Sequence, residues 1–267
     1  MASNLKAMAE IAQTADHALR ILTELGEGDP LTPSELATRL DLNRTVVHRL
    51  LMTLSARGFV LRQGSLYRPG AVLLQLAQVI EPDLRVIAAP IMSKLSSATE
   101  ESAVLHVPDG LDAVVLHQCV SDRHVLQVSH RLGSRHSLAA GASGRAILAF
   151  SPHGLTRRVV GASADPATLR RSLDAIRKLG YSLSHDELQS GVHGVAVPIL
   201  GADGVAGASL AVLMPTNRAV GIERHIDALL AAAAQIAAEL SLVRSSGDRN
   251  VLTVSDGPAA ESVPGTR

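Results

Sequence analysis

Residues 43–70 carry basic and hydrogen-bonding side chains whose types and spacing suit contact with a polyanion. This stretch holds five arginines and no acidic residue, whereas residues 1–42 hold three basic and seven acidic side chains. Guanidinium groups neutralise phosphates, and one that reaches a groove can pair with both acceptors of a guanine edge. Because the whole chain has zero net charge, this local concentration of positive charge predicts a nucleic-acid contact surface.

The helical period within this stretch separates side chains that face a core from side chains that face a ligand. The predicted inward stripe is apolar and consists of Val46 or Val47, Leu50, Leu51 and Leu54. The other side is polar, above all in the N-terminal half, which is where a recognition helix contacts base edges. The residues predicted to contact DNA, the first three at base edges and the last three at phosphates, are Arg44, Thr45, His48, Arg49, Arg62 and Arg68.

Capping and turn signals place these side chains in a small helical domain with a hairpin. Thr32, Pro33 and Glu35 form a capping-box helix start, and Asn43 can cap the next helix after a tight turn. The predicted elements are helices at 14–25, 33–40 and 43–57 and strands at 59–62 and 66–68. Helix, tight turn, helix and hairpin together predict a winged helix-turn-helix domain over residues 1–70.

The remainder predicts a linker, a mixed domain and a tail. An apolar linker helix occupies 71–82, and the α+β domain occupies 83–245. Its predicted helices lie at 84–100, 138–150, 166–179 and 221–243, and its strands at 103–107, 111–120, 124–129, 181–184, 194–200 and 205–214. Residues 246–267, rich in Gly, Ser and Pro, are expected to be a disordered tail.

A second candidate site lies where small residues open a helix in the mixed domain. The segment Ala140–Arg145 reads AGASGR. Small side chains let a ligand approach the backbone, and the free N–H groups of a helix start favour a carboxylate or a similar anion. Backbone contacts at Ala142 and Ser143, with the Ser143 hydroxyl as a further partner, are therefore predicted.

Several motifs together resemble one family. TADHALRILTEL and LTPSELATRLDLNRTVVHRLLMTLSARGFV resemble the N-terminal domain of IclR-type bacterial transcriptional regulators. HSLAAGASGRAILAF and GYSLSHDELQSGVHGVAVPILGADGVAGASLAVLMP resemble their effector-binding domain. The resemblance spans roughly residues 14–245, with motifs of both domains in the family's order.

The resemblance implies a homodimer or tetramer that binds a pseudo-palindromic double-stranded DNA operator and responds to a small-molecule effector. It implies a GAF-like antiparallel sheet flanked by helices. It places Ser184, Gly194, Ala211 and Leu213 around the effector cavity, where family members often have acidic, Cys or Ser residues. With fewer polar groups, the cavity is expected to prefer an acid with hydrocarbon or aromatic bulk.

Other functions find less support in the sequence. The single cysteine, Cys119, excludes a disulfide framework within the chain and a cysteine zinc site. Histidine spacing predicts no metal site, and GASGR lacks the second glycine of a nucleophile elbow. No cofactor and no catalysis are therefore predicted. With neither a secretion signal nor an apolar run of about 18 residues, a cytoplasmic protein without a membrane partner is expected.

Two alternatives remain open. The second domain could be a hydrolase or isomerase fused to a DNA-binding arm, or the chain could sense a ligand and act mainly through a protein partner. The first predicts turnover of a ligand. The second predicts no sequence-specific DNA affinity, even at low salt.

Overall fold

The computed structural model describes residues 12–251, and for 244–251 only the helical backbone. The chain forms two compact units, which divide between Pro82 and Asp83. The first unit contains α1 (Gln13–Gly26), α2 (Pro33–Leu40), α3 (Arg44–Ala56), β1 (Val60–Gln63), β2 (Leu66–Pro69) and α4 (Ala71–Gln78).

Local signals in the sequence account for the helix-turn-helix. The Thr32 and Glu35 side chains cap α2 reciprocally, and the Asn43 carboxamide accepts a bond from the Thr45 N–H at 2.8 Å. Between the two helices Asp41 adopts the left-handed conformation, with φ at 53°. Val47, not Val46, faces the core, which resolves the alternative that the sequence left open.

The cap of α2 yields a stability prediction. Replacing Thr32 with alanine removes the side chain that accepts the Glu35 N–H, so we expect a loss of about 1 kcal/mol in the free energy of unfolding. Chemical denaturation of the full chain measures it. The matched control is Thr23→Ala, because the exposed Thr23 hydroxyl bonds only to the Leu19 carbonyl within α1. Equal destabilisation by both changes would show that the cap contributes nothing.

The second unit is a sheet with helices on both faces. Its helices are α5 (Pro82–Thr99), α6 (Gly141–Ala149), α7 (His153–Ala162), α8 (Pro166–Leu179) and α9 (Ile226–Val251). Its strands are β3 (Ser102–Asp109), β4 (Asp112–Cys119), β5 (Arg135–Ser137), β6 (Ser182–His185), β7 (Val192–Leu200) and β8 (Ala206–Pro215). The six strands are antiparallel in the order β5-β4-β3-β8-β7-β6. This is the predicted α+β class with a GAF-like sheet.

Alternation along the strands divides the core between the two faces. Leu105 and Leu210 pack with α5 and α9 on one face, whereas Val104 and Ala211 pack with α6 on the other. Residues Ile222–Val243 are long and apolar enough to cross a membrane, contrary to the expectation that no such segment exists. One side of this segment packs in the sheet core, so it is a covering helix of the fold.

Three further expectations need correction. The predicted strand at 124–129 is wrong: Val125 and Leu126 are exposed and pair with no strand, and the short edge strand β5 forms later in the chain. Helix α7 was not predicted. Helix α9 continues to Val251, so the first six residues of the predicted tail are helical, and the rest of that tail lies outside the described residues.

Candidate nucleic-acid interface and ligand cavity

The first half of α3 borders a concave surface in the first unit. Its lining residues come from the start of α2, the start of α3 and the hairpin turn, and they are Thr32, Pro33, Ser34, Arg44, Thr45, His48, Arg49 and Ser65. Four of the six predicted DNA contacts therefore share one surface. All six are exposed. For the four residues of α3 the reason is that the apolar stripe faces the core and turns the polar side outward.

Most of the predicted arginines are available to an external anion. Among the residues that the structure describes, the guanidinium groups of Arg44, Arg49 and Arg68 make no ion pair or hydrogen bond. Arg62 is different because its Nε donates to the Gly64 carbonyl at 2.9 Å and its guanidinium lies 5.9 Å from the Tyr67 ring centre. The hairpin thus holds the Arg62 side chain in place, whereas the described structure gives the guanidinium groups of Arg44, Arg49 and Arg68 no partner.

The hairpin register separates its two arginines. Arg62 pairs with Tyr67, and Arg68 pairs with Leu61. Paired residues share a face of an antiparallel ladder and successive residues alternate, so Arg62 and Arg68 lie on opposite faces. A nucleic acid that met both would have to pass around the hairpin.

Sequence reasoning missed the α2 contribution to this surface. Thr32 and Ser34 line it, and the Ser34 N–H makes no hydrogen bond within the described part of the chain. A free N–H at a helix start suits a phosphate oxygen. The capping box at Thr32 is the available signal, but in the sequence it indicates only where the helix begins.

A small, partly open cavity lies in the second unit at the start of α6. Its lining residues are His106, His130, His136, Ala142, Ser143, Ser184, Leu188, Gln189, Val192 and Leu213, and its volume is about 20 Å³. That is room for one water molecule. Leu188 and Gln189 belong to the loop 186–191, which connects β6 to β7 and covers the cavity.

The cavity includes four of the six predicted effector residues: Ala142, Ser143, Ser184 and Leu213. Gly194 lies directly behind the wall, where an added Cβ would be 2.9 Å from Leu213 Cδ2 and 3.2 Å from Ser184 Oγ. Ala211 does not line the cavity: it is fully buried, two residues before Leu213 on β8, in the apolar cluster that α6 covers.

Three imidazoles that the sequence did not assign to the cavity complete its wall. The His106 ring centre lies 5.3 Å from that of His136 and 6.3 Å from that of His130. Burial lowers the pKa of His106 well below its ordinary value, and the neighbouring imidazoles lower it further. The cavity therefore has more polar groups than the sequence predicted. Among the described residues, no cluster of three or more His, Cys, Asp or Glu side chains has the arrangement of a metal site.

Two family models match the chain and together span both units. The "IclR helix-turn-helix domain" matches residues 14–64, and "Bacterial transcriptional regulator IclR C-terminal" matches residues 77–242. The chain belongs to the IclR family. It is a DNA-binding transcriptional regulator of this family, as the motifs predicted.

Relatives over nearly the whole chain agree. The HTH-type transcriptional regulator BhcR of Paracoccus denitrificans is 29% identical over 255 residues, which are 88% of this chain and 89% of BhcR. The IclR structure of Thermotoga maritima has a TM-score of 0.70 at 26% identity and covers 86% of this chain and 99% of its own. An IclR homologue of Microbacterium hydrocarbonoxydans, complexed with 4-hydroxybenzoate, has a TM-score of 0.75 at 24% identity with the same coverage.

In this IclR-family chain the loop over the cavity is fastened by Glu187. Its carboxylate accepts the Gly141 N–H at 3.0 Å and pairs with the Arg145 guanidinium, which also donates to the Leu183 carbonyl at 2.7 Å. Burial alone would raise the pKa of Glu187, but the hydrogen bonds and charge of Arg145 outweigh it and lower the pKa. The first N–H of α6 is thus occupied, whereas those of Ala142 and Ser143 have no partner in the described structure.

The ion pair between Arg145 and Glu187 yields a second stability prediction. Arg145→Ala leaves the half-buried Glu187 carboxylate without its cation, so we expect a loss of about 2–3 kcal/mol in the free energy of unfolding, below that for a fully buried pair. The contribution is present above the unfolded pKa of about 4.3 and is lost as pH falls through the lower folded value.

Thermal unfolding at pH 7 and pH 3.5 measures the effect. Arg135→Ala is the matched control, because Arg135 pairs with Asp109 and Asp112 at the surface and such pairs contribute at most about 1 kcal/mol. If Arg145→Ala lowers the free energy of unfolding at pH 7 no more than Arg135→Ala does, the Arg145–Glu187 pair does not stabilise the fold.

Proposed function

We propose that the chain is an effector-responsive regulator that binds a pseudo-palindromic operator as a homodimer or tetramer in the cytoplasm. The observation that carries the proposal is the exposed start of α3, where Arg44, Thr45, His48 and Arg49 border one concave surface with the α2 start. Two such helices, one from each of two subunits, would enter successive major grooves. The hairpin arginines Arg62 and Arg68 would contact flanking phosphates.

The exposed apolar side chains of α4 and the residues after it support self-association. Within one chain α4 buries none of its residues. Leu74, Leu76, Val79 and Ile80 are all at least half exposed, and a contiguous apolar patch of this kind marks an interaction surface. A second copy of the same segment would cover it.

The effector in this proposal is a small organic acid. Its carboxylate would meet the free N–H groups of Ala142 and Ser143 at the start of α6, with the Ser143 and Ser184 hydroxyls beside it. A related fold holds 4-hydroxybenzoate in its crystal, which makes an aromatic acid of that size a suitable probe. Because the cavity now admits about one water, the loop 186–191 must move to admit the acid.

The proposal assigns no reaction to the chain. The effector would act by binding two arrangements of the DNA-binding domains with different affinity, and it can change operator affinity only by that difference. Catalysis would require turnover of the bound acid, which mass balance before and after incubation would reveal.

The experiment is selection from a random duplex DNA library by the full-length protein across a salt series. We expect enrichment of a short pseudo-palindrome, with affinity that falls steeply as salt rises. The selected duplex then serves to titrate carboxylic acids for a change in affinity. If no sequence is enriched at any salt concentration, with or without the acids, operator binding is overturned.

A further inference from the structure

The cavity of the second unit is polar but carries no charge of its own. Its lining residues include three imidazoles, two hydroxyls and one carboxamide, and none is Arg, Lys, Asp or Glu. The nearest guanidinium at the α6 start is that of Arg145, which is neutralised by Glu187. A carboxylate that entered this space would therefore find hydrogen-bond donors but no fixed countercharge.

Two buried polar atoms, one on the cavity wall and one on the neighbouring strand, have no partner among the described residues. His106 on β3 pairs in register with Ser209 on β8, and both side chains are on the face that α6 covers. His106 is 2% exposed and Ser209 is fully buried, yet neither His106 Nδ1 nor Ser209 Oγ has a hydrogen-bond partner in the described structure. Unsatisfied buried groups cost free energy, and they commonly mark a functional site.

We propose that this cavity binds its carboxylate together with one proton, which the three-imidazole cluster of His106, His130 and His136 takes up. The inference rests on the proposed effector function and adds the means of neutralising the acid. An ionised carboxylate in a buried, uncharged space is strongly unfavourable unless it is paired. Imidazole is the lining group that can become charged near neutral pH.

His136 is the member of the cluster that receives the proton. Burial lowers the pKa of His136, but the Ser137 and Ala140 carbonyls and the Asp112 carboxylate act in the opposite direction. Nothing of that kind offsets the burial of His106 or of His130, whose pKa His136 lowers further. With ring centres 5.3 Å apart, a second charge on His106 would be repelled, so the cluster holds one proton.

Two sets of ion pairs lie next to residues that line the cavity. Arg135, the neighbour of His136 on β5, is shared between Asp109 and Asp112, and Glu187 is held by Arg145. Burial lowers the pKa of all three imidazoles, which favours their neutral form in the unliganded cavity. A bound carboxylate raises the pKa of the cluster. Affinity then weakens about tenfold per pH unit as pH rises from the lowered pKa of the free cluster toward its raised pKa in the complex.

Isothermal titration of the full-length protein tests the proposal. Acetate, benzoate and 4-hydroxybenzoate are the probes, each titrated from pH 5.5 to 8.5 with and without EDTA, in PIPES, HEPES and Tris buffers. The dependence of the observed enthalpy on the buffer ionisation enthalpy gives the number of protons taken up. We expect close to one proton per ligand at pH 7.5 and the tenfold weakening per pH unit.

Two variants assign the proton. His136→Gln is expected to reduce the uptake to near zero and flatten the pH dependence. His117→Gln, a half-buried histidine outside the cavity, is expected to change neither. Imidazole nitrogen shifts of the wild-type protein, free and bound, report the same protonation without mutation.

Each outcome bears on a separate claim. Carboxylate binding without proton uptake overturns the proton-coupled mechanism and leaves the effector function standing. Binding that EDTA abolishes assigns the imidazoles to a metal ion and also overturns it. No binding of any probe at any pH overturns both the mechanism and the carboxylate effector.

Discussion

Replacing Arg44 with alanine is expected to weaken operator binding by about 1–3 kcal/mol, roughly 5- to 150-fold, and to relax specificity at one base pair of each half-site. The expectation follows from position, because Arg44 is the first residue of α3, is exposed and has no intramolecular partner among the described residues. A guanidinium at that place can reach a guanine edge. Nothing in the folded unit is disturbed when it is removed.

The measurement is competition binding with single-base variants of the selected operator. Arg39→Ala is the matched control: it removes the same charge, but Arg39 is in the last turn of α2, already paired with Glu24 at 3.0 Å. Arg49→Ala should weaken all operator variants equally and lower the salt slope by about one per recognition helix, as a phosphate contact does. If Arg44→Ala also weakens every variant equally, Arg44 contacts the backbone and not a base.

The architecture of the first unit could be predicted because its signals are local. The capping box at Thr32, the cap at Asn43 and the apolar period of α3 each lie within a few residues of the element that they define. Side chains of a helix keep their angular order whatever the helix packs against. The polar side of α3 could therefore be read before the fold was known.

The sheet edge could not be predicted in the same way. Residues 124–129 have the composition of a strand, but a strand needs a partner, and β4 pairs instead with the three residues of β5. Which segment pairs with β4 at the edge of the sheet depends on the path of the preceding loop. The Gln118 carboxamide fixes that path by accepting the His130 N–H at 2.9 Å. Such contacts join residues twelve positions apart, so neither segment alone reveals them.

Only part of the cavity wall could be predicted, again because some of its contacts join distant segments of the chain. Ala142 and Ser143 follow from a local helix start, whereas His106 comes from β3, His130 from a loop and His136 from β5. Only the folded sheet brings these rings together. Their spacing in the sequence predicts no metal site, and nothing in it assigns His130 or His136 to the effector cavity.

The largest effect on stability is expected from Gly70→Ala. The backbone of Gly70 adopts an extended conformation that any residue tolerates, with φ at −94°. Elsewhere such a change would stabilise slightly, by narrowing the unfolded ensemble. Here the added Cβ would lie 2.1 Å from the Gly58 carbonyl oxygen and 2.8 Å from the Phe59 carbonyl carbon. Both are backbone atoms, so no rotamer change can relieve the overlap.

Relief requires the chain between β2 and α4 to move away from the end of α3. That movement breaks the bond from the Gly70 N–H to the Phe59 carbonyl, which is 2.8 Å long. We expect a loss of about 3 kcal/mol or more, at the upper end for overpacked sites, and a melting temperature of the first unit lowered by more than about 10 °C. Operator binding should fall with it.

The control is Gly28→Ala, in an exposed turn of the same unit where an added Cβ meets nothing within 4 Å. Thermal unfolding followed by circular dichroism, together with operator binding at a temperature at which the control is folded, gives both readouts. Equal melting temperatures of the two variants would mean that the backbone at Gly70 does not lie this close to the Gly58 carbonyl in solution. The sequence shows only a glycine before an apolar helix at this position, because a close contact between two backbone segments has no signature in side-chain type.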